Sequence, residues 1–504
     1  AIIPPIGDNI RIIPLGGVEE IGRNMTAIEY GESIIIVDAG FQFKDESTPG
    51  IDYIIPNISY LVTNKHKIKG IFITHGHLDH IGGIPYIIEQ IGNPPIYSRE
   101  FGAVMIKKRH EEFLHLPPLN VVVLDGDETV TIEKDFKVQS FPISHTIPDS
   151  MGLVIKTLHG DIVFIEDVRV DNADGVVSQE EVEQYKQFKD KEYLMLTMDS
   201  TSIEKSGFSL SESTVVKNIE KIIKDAPGRL IIGTFASQVE RIKSIIELTE
   251  KYGKKVVIEG RSMKTNIEIM KQLKILEASN LIPLEDLKNH PGSKIVMIAT
   301  GAQGEEYAAL MRIANKSHKH VVLTKSDTVL LSSSVIPGNE YAITRLKDNL
   351  YRSGAKVISY RDSDVHASGH GNRGELEWIH KQIKYRFFMP VHGHHYMLRQ
   401  HAELAENIGT PKENIVVPDN GSIVEIYDQG KHIRVLKEKV PSGSMVVDGF
   451  FIGDLQEAVM RDRKTLAEDG IVVIIASINL KTGKLKTVSY THLRAHETKA
   501  NLVC

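Results

Sequence analysis

Directly after the apolar run Ile71-Phe72-Ile73 the chain reads Thr74-His75-Gly76-His77-Leu78-Asp79-His80. Four metal-capable side chains within six residues at a strand exit cannot all turn into a hydrophobic core, because a buried imidazole or carboxylate needs a partner. A fold that carries this segment either solvates it as a polar loop or gathers it around a cation. Composition narrows the ligand chemistry. Cys504 is the only cysteine, which excludes a thiolate zinc finger, a disulfide framework and an internal Cys-Cys redox pair, whereas 21 histidines are present. Imidazole with carboxylate is then the donor set open to a divalent transition metal.

At 504 residues the chain is too long for one hydrophobic core, and two or three domains are expected. Hydrophobic residues at 41% and charged residues at 25% are the balance of a globular protein. No stretch approaches the ~20 apolar residues that cross a bilayer. The opening Ala1-Ile2-Ile3-Pro4-Pro5 lacks the basic-then-apolar pattern of a secretory leader. Up to about Ile165, short apolar runs parted by Gly, Asp and Asn predict strands at 33–37, 70–74, 120–124, 137–141, 153–156 and 162–165, with a helical pattern at 84–90. From about Ser211 to Lys356 helices at 215–223, 239–252 and 305–315 alternate with strands at 230–232, 255–258, 294–298 and 320–323, which predicts a parallel α/β domain. Beyond Val357 strands and His-rich loops return, and the segment 445–485 offers one further strand, at 471–477. From about Val488, Ser489-Tyr490-Thr491-His492-Leu493-Arg494-Ala495-His496-Glu497-Thr498 does not continue that pattern and reads as a translated cloning adapter.

Two further ligand candidates stand at later strand ends, His145 after Phe141-Pro142-Ile143-Ser144 and Asp167 after Val163-Phe164-Ile165-Glu166. Alone, each reads more readily as an ordinary hydrogen-bonded residue. Their weight comes from the way ligands gather at the ends of adjacent strands, where backbone geometry fixes them and one face stays open. A separate signal is Asp364-Val365-His366-Ala367-Ser368-Gly369-His370-Gly371-Asn372-Arg373-Gly374, ahead of a helix at 375–384 with an apolar stripe of Leu376, Ile379 and Ile383. Small residues before a helix present backbone N–H groups and the positive end of the dipole to a phosphate. Gly369, Gly371 and Gly374 also satisfy the dinucleotide-binding pattern, but nine residues part this loop from the strand end at Tyr360, which argues against that reading.

The 75–80 motif, Asp38 in Val37-Asp38-Ala39-Gly40, His145 and Asp167 resemble the metallo-β-lactamase fold. The wider text resembles the ribonuclease J family of the β-CASP subgroup. It does so through Gly16-Gly17-Val18-Glu19-Glu20-Ile21-Gly22, Gly233-Thr234-Phe235-Ala236-Ser237, Thr300-Gly301-Ala302-Gln303-Gly304-Glu305 and 332–339, and the likeness runs from about Arg11 to Lys486. The resemblance implies an α/β chain: a metallo-β-lactamase αββα sandwich with an inserted β-CASP α/β domain and a truncated C-terminal domain. The implied boundaries are 1–207 and 366–448 for the two parts of the sandwich and 208–365 for the insertion. A linker and the start of the C-terminal domain occupy 449–487, and 488–504 is a non-native tail.

Residue by residue, the resemblance assigns His75, His77 and His145 to one Zn2+ and Asp79, His80 and His392 to a second, with Asp167 bridging and Asp38 orienting from behind; Mn2+ is the alternative metal. Asp199, which could equally cap a turn, matches an acidic residue near the metals, and the implied catalytic set is His370, Asp79 and Asp199. The implied substrate contacts are Thr234, Phe235, Ala236 and Ser237 together with His366, Ala367, Ser368, Gly369 and His370. Ser332, Ser333 and Ser334 lie in a neighbouring loop of the same kind. Phe235 reads equally as a stacking face for a base or as a core aromatic.

The implied activity is hydrolysis of single-stranded RNA in RNA processing and decay: a 5′-to-3′ exonuclease preferring a 5′-monophosphate, with endonuclease activity. The implied enzyme is cytoplasmic, has no membrane partner, and is a homodimer or homotetramer, an assembly weakened if the C-terminal domain is truly missing. The net charge of −6 argues mildly against a nucleic-acid partner. Two divalent ions and basic clusters such as Lys107-Lys108-Arg109 and 316–320 would offset it locally. Four positions depart from the family pattern: Glu166 stands for a glycine, His394 for an acidic residue, Val335 for a proline and Glu240 for a histidine. None is an assigned ligand. The competing readings are a DNA-directed β-CASP nuclease, a small-molecule hydrolase on the same fold, and a catalytically silent RNA-binding scaffold.

Overall fold

The computed structural model describes residues 3–43, 51–302, 308–335, 339–449, 451–454, 465–466, 469–479, 481–482 and 484–493. The strand Ser33–Val37 shows how the main body is layered. Ile34 and Ile36 enter one core and Ile35 and Val37 another, all fully buried. A strand turns alternate side chains to opposite faces, so an unbroken apolar run is what a strand covered on both sides requires.

Its sheet has eight strands, in the order His432–Lys439, Ser422–Tyr427, Ile10–Gly16, Met25–Tyr30, Ser33–Val37, Ile68–Phe72, Ile96–Ser98 and Val121–Val123. A second sheet of six strands faces it, in the order Tyr385–Val391, Tyr193–Asp199, Gly160–Ile165, Met151–Thr157, Phe136–Pro142 and Thr129–Glu133. Ile12, Ile28 and Phe72 from the first sheet meet Leu153, Phe164, Met195 and Phe387 from the second. Outside the first sheet lie Ile84, Ile87 and Ile106. Outside the second lie Tyr185, the helix Arg373–Gln382 through Leu376 and Ile379, and the helix His395–Asn407 through Met397 and Leu404. The arrangement is the αββα sandwich, and strands from beyond residue 380 complete both of its sheets.

The inserted unit is a wholly parallel sheet of five strands, ordered Lys255–Glu259, Ile295–Ala299, Leu230–Thr234, Thr328–Ser332 and Lys356–Ser359. Ile232, Ile258, Ile298 and Leu330 face one helical layer and Ile231, Val257, Met297 and Leu331 the other. One strand is displaced from its sequence-based position. The predicted strand at 320–323 is irregular, with Val322 61% exposed, and the sheet instead takes Thr328–Ser332, which is buried throughout. Asp327 closes the intervening turn by accepting the Thr324 amide at 2.8 Å.

The helical pattern at 84–90 contracts to Ile84–Ile87, and the helices Glu100–His110, Arg261–Gln272 and Glu340–Arg352 lie outside those expected from the sequence. The strand expected to reach Tyr360 ends at Ser359, followed by the short helix Tyr360–Ser363. Within the predicted helix at 305–315 the structure shows Ala309–Ala314; Gln303, Gly304 and Glu305, like 336–338, lie outside the described residues.

Ile471–Ile478 pairs antiparallel with Leu485–Leu493, so the adapter-like text from Ser489 opens as one arm of a hairpin. On its first arm Ile474 and Ile475 are 66% and 70% exposed. The rest of the tail, Cys504 included, lies outside the described residues. No helix among the described residues is long and apolar enough to cross a membrane.

Candidate metal centre

The sandwich delivers its polar residues from strand ends to one edge. Asp38 follows Ser33–Val37, His75 follows Ile68–Phe72, His145 follows Phe136–Pro142, Asp167 follows Gly160–Ile165, Asp199 ends Tyr193–Asp199, and His392 follows Tyr385–Val391. The approach is close: a Cβ on Gly40 would come within 1.6 Å of the Asp79 carbonyl oxygen, so only glycine lets this turn pass. Asp38 and His392 take left-handed backbone, with φ of 60° and 51°, a local strain that the surrounding framework sustains.

Each of five histidines has one ring nitrogen committed to an oxygen and the other turned inward. His75 Nδ1 lies 3.1 Å from the Thr74 hydroxyl, His77 Nε2 3.2 Å from the Ser237 carbonyl and His145 Nδ1 2.8 Å from the Gly369 carbonyl. His80 Nδ1 lies 2.7 Å from Asp38 Oδ2 and His392 Nδ1 2.6 Å from the Thr201 hydroxyl. Donation on the outer side leaves an inward lone pair on each ring. Asp38 is fixed in turn by the Thr74 amide and hydroxyl, both at 2.8 Å.

The inward atoms form two groups that share Asp167. His77 Nδ1 is 3.0 Å from His75 Nε2 and 3.2 Å from His145 Nε2, and Asp167 Oδ2 lies 3.6 and 3.4 Å from His75 and His145. The other oxygen, Oδ1, lies 3.2 Å from both His80 Nε2 and His392 Nε2, and Asp79 Oδ2 closes this group at 3.5 and 3.6 Å from the same nitrogens. Asp167 Oδ1 and His392 Nε2 are buried without a hydrogen-bond partner. Converging lone pairs and orphaned buried acceptors repel one another unless a cation lies between them, and imidazole with carboxylate is the set a divalent metal takes. The residues fit such a group.

The electrostatics of the two groups differ. Burial pushes the His75 imidazole well below its ordinary range, helped by the charge of His80, and burial also pushes His145 and His77 down. Burial acts on His80 and His392 as well, but there the carboxylates win. Asp167, Asp79 and Asp38 hold His80 well above its ordinary range, and Asp167, Asp199 and Asp79 do so for His392. Glu166, the departure next to Asp167, is pushed up to about 8 by burial and then by Asp38, and it faces inward with Oε2 unpaired.

At the rim His370 Nδ1 lies 2.7 Å from Asp199 Oδ2, with its Nε2 3.7 Å from Asp167 Oδ2. Asp199 also accepts the Thr201 amide at 2.8 Å, so it orients His370 as well as shaping a turn. Gly369 is required here, because a Cβ would sit 2.9 Å from the His145 ring. The loop residues with sequence-assigned substrate roles gather beside this rim, but not all of them present free groups. Thr234 is buried, and its hydroxyl donates to the Ser332 carbonyl at 3.2 Å. His366 is engaged by Arg241 at 2.8 Å and by the Ser332 backbone. Phe235 is half-buried, 6.1 Å from the His366 ring centroid, between the two readings left open for it. Sequence reasoning missed Thr201, Arg241, Glu212 and Glu375. Glu375 is fully buried and accepts from Ser209, Val170 and Asn372, tying the helix after the loop to the segment after Asp167.

Comparison with known proteins agrees with this layout. A family profile described as "Metallo-beta-lactamase superfamily" matches residues 18–164, "Ribonuclease J, beta-CASP domain" matches 227–350, and "Zn-dependent metallo-hydrolase RNA specificity domain" matches 358–418. The chain is 38% identical to Ribonuclease J of Thermus thermophilus over 93% of its own length and 82% of that protein. It is 33% identical to Ribonuclease J2 of Bacillus subtilis over 94% of its length and 84% of that protein. A crystal structure of a protein of unknown function from Enterococcus faecalis V583 shares the fold at a TM-score of 0.57 and 16% identity, covering 85% of this chain and all of that one.

Proposed function

The chain belongs to the ribonuclease J family, and from that premise we propose that it is a two-zinc ribonuclease that hydrolyses RNA phosphodiester bonds, with Mn2+ as the alternative metal. The observation that carries this is Asp167, which presents one carboxylate oxygen to each of two separate imidazole groups. A pair of divalent ions in such a site supplies Lewis-acid activation of water and neutralises charge on an in-line phosphoryl transition state. The chain's own residues do the rest. His370, oriented by Asp199 and reaching toward Asp167, donates to the scissile phosphate or to the leaving oxygen. The turn 367–370 and the 234–237 loop hold the flanking phosphates, and no protein nucleophile is needed.

The finer reading is a 5′-to-3′ exonuclease preferring a 5′-monophosphate, with endonuclease activity on single-stranded RNA, working as a cytoplasmic homodimer or homotetramer. Turnover of 5′-monophosphorylated RNA, 5′-hydroxyl RNA and DNA tests it: the first should be cut fastest, and preferential DNA cutting overturns the reading. Activity that survives His77→Ala unchanged overturns the site assignment.

A further inference from the structure

Arg241, on the helix Val239–Lys251, is 1% exposed, an uncommon place for a guanidinium. Four contacts account for it. Its Nε and Nη2 each donate to Glu212 at 2.7 Å, Nη1 reaches His366 Nδ1 at 2.8 Å, and Nη2 also donates to the Ala367 carbonyl at 3.2 Å. Arginine has no acceptor, so His366 Nδ1 must accept and the ring proton lies on Nε2, where the Ser332 backbone engages it. Ser332 in turn donates its hydroxyl to the Val365 carbonyl at 2.6 Å and accepts from Thr234. Glu212 takes a second guanidinium, Arg169 at 3.3 Å, two residues past Asp167. One carboxylate therefore joins the segment behind the metal centre to the turn 367–370.

We propose that Arg241 is the positioning residue for the phosphate-binding turn 367–370: through His366 and the Ala367 carbonyl it sets the height and orientation of the backbone that receives the substrate's 5′-phosphate. This rests on the reading of that turn as a phosphate site given above and deepens it, by taking the 5′-monophosphate as the phosphate held there. Arg241 does not touch substrate. Its planar fork matches Glu212 on one edge and the turn on the other, and lysine, a point donor, can satisfy only one of them. Glu212 is held well ionised, since the Arg241 and Arg169 contacts outweigh its burial. His366 is pushed down to about 3 by burial and then by Arg241, so it stays neutral and keeps this tautomer across the working range of pH.

The test is steady-state kinetics of the metal-loaded full chain on matched 5′-monophosphorylated and 5′-hydroxyl RNA oligomers, with metal content measured for each protein. For Arg241→Lys, KM for the 5′-monophosphorylated RNA should rise about tenfold or more, the loss expected for one charge-assisted contact. Its KM for the 5′-hydroxyl RNA should change less than that for the 5′-monophosphorylated RNA, and its metal content should stay within about twofold. Glu212→Gln, which keeps the guanidinium and loosens its anchor, should shift the same KM in the same direction, and the double variant should be no worse than Arg241→Lys alone. Equal KM changes on the two RNAs, a fall in metal content, or no change in either variant overturns the proposal. Wild-type protein that does not discriminate the two 5′ ends overturns instead the phosphate reading on which it stands.

Discussion

The two halves of the metal centre use the same ligand types but stand on different supports. Behind His75, His77 and His145 lie neutral oxygens: a threonine hydroxyl and the Ser237 and Gly369 carbonyls. Carboxylates crowd His80 and His392: Asp38 contacts the first directly, Asp199 lies 3.5 Å from the second, whose Nδ1 meets the neutral Thr201 hydroxyl at 2.6 Å, and Asp79 adds a third negative charge 3.6 Å from His392 Nε2. At an effective dielectric near 20, each such charge a few ångströms from a dication is worth several kcal/mol of gross attraction, before desolvation is counted. The carboxylate-backed half should therefore hold its ion more tightly, and the neutral-backed half should exchange it more readily.

The largest effect should come from the one residue both halves share. Asp167→Asn should abolish binding of both ions, read as metal content, and lower RNA hydrolysis by at least ~10³. Next is the contrast itself. Chelator titration of the loaded protein should release metal in two phases. The weaker phase should vanish in His77→Ala and the tighter in His392→Ala; a single phase in the wild type would remove the asymmetry. Smaller again is Asp38→Asn, which keeps a hydrogen-bond acceptor for His80 but removes its charge. The tight phase should weaken ~10–100-fold while the weaker one is unmoved.

The smallest effect concerns pH and lies behind the carboxylate-backed half. Ser200 bonds His401 Nδ1 at 2.9 Å, His401 Nε2 meets His380 Nε2 at 3.0 Å, and His380 Nδ1 meets the Tyr385 hydroxyl at 2.6 Å. Burial holds His380 well below its ordinary range and His401 down to about 3. Between those values and about 6.5 the unfolded chain binds protons that the folded chain does not. The stability they contribute is thus complete above about pH 6.5 and is lost as pH falls, by up to ~1.4 kcal/mol per unit for each ring. The thermal midpoint should drop between pH 7 and 5.5, and the drop should shrink in His401→Gln.

The convergence of these side chains was legible because His75, His145, Asp167 and His392 follow apolar strands, while His77, Asp79 and His80 follow through the turn and short helix Leu78–Ile81 after Ile68–Phe72, and strand ends are where a sheet collects side chains at one edge. The supports behind His75 and His392 were not. Which carboxylate stands behind which ring depends on Thr74, Thr201 and Asp199, ordinary polar residues whose neighbours come from distant segments. Arg241 was hidden for another reason. It adjoins the apolar positions Val239 and Ile242 of an amphipathic helix, where an arginine reads as the margin of the solvent face, and only the fold brings Glu212 and His366 to it. The error at 320–323 has the same root: hydrophobicity proposes a strand, but room in the sheet decides, and Thr328–Ser332 took the place.

Both sheets of the sandwich are finished by strands made after the insertion, and His392 follows His75 by more than three hundred residues. At roughly 5–20 residues per second, a ribosome needs about a quarter of a minute to a minute to cover that distance. Once Asp167 has been made the emerging chain carries four imidazoles and two carboxylates of the converging set, but not the strand Tyr385–Val391 that brings His392. The insertion therefore acts as a delay: a product that ends before Tyr385–Val391 lacks both His392 and the strand that finishes the second sheet, so the edge where these side chains converge closes only with the whole sandwich.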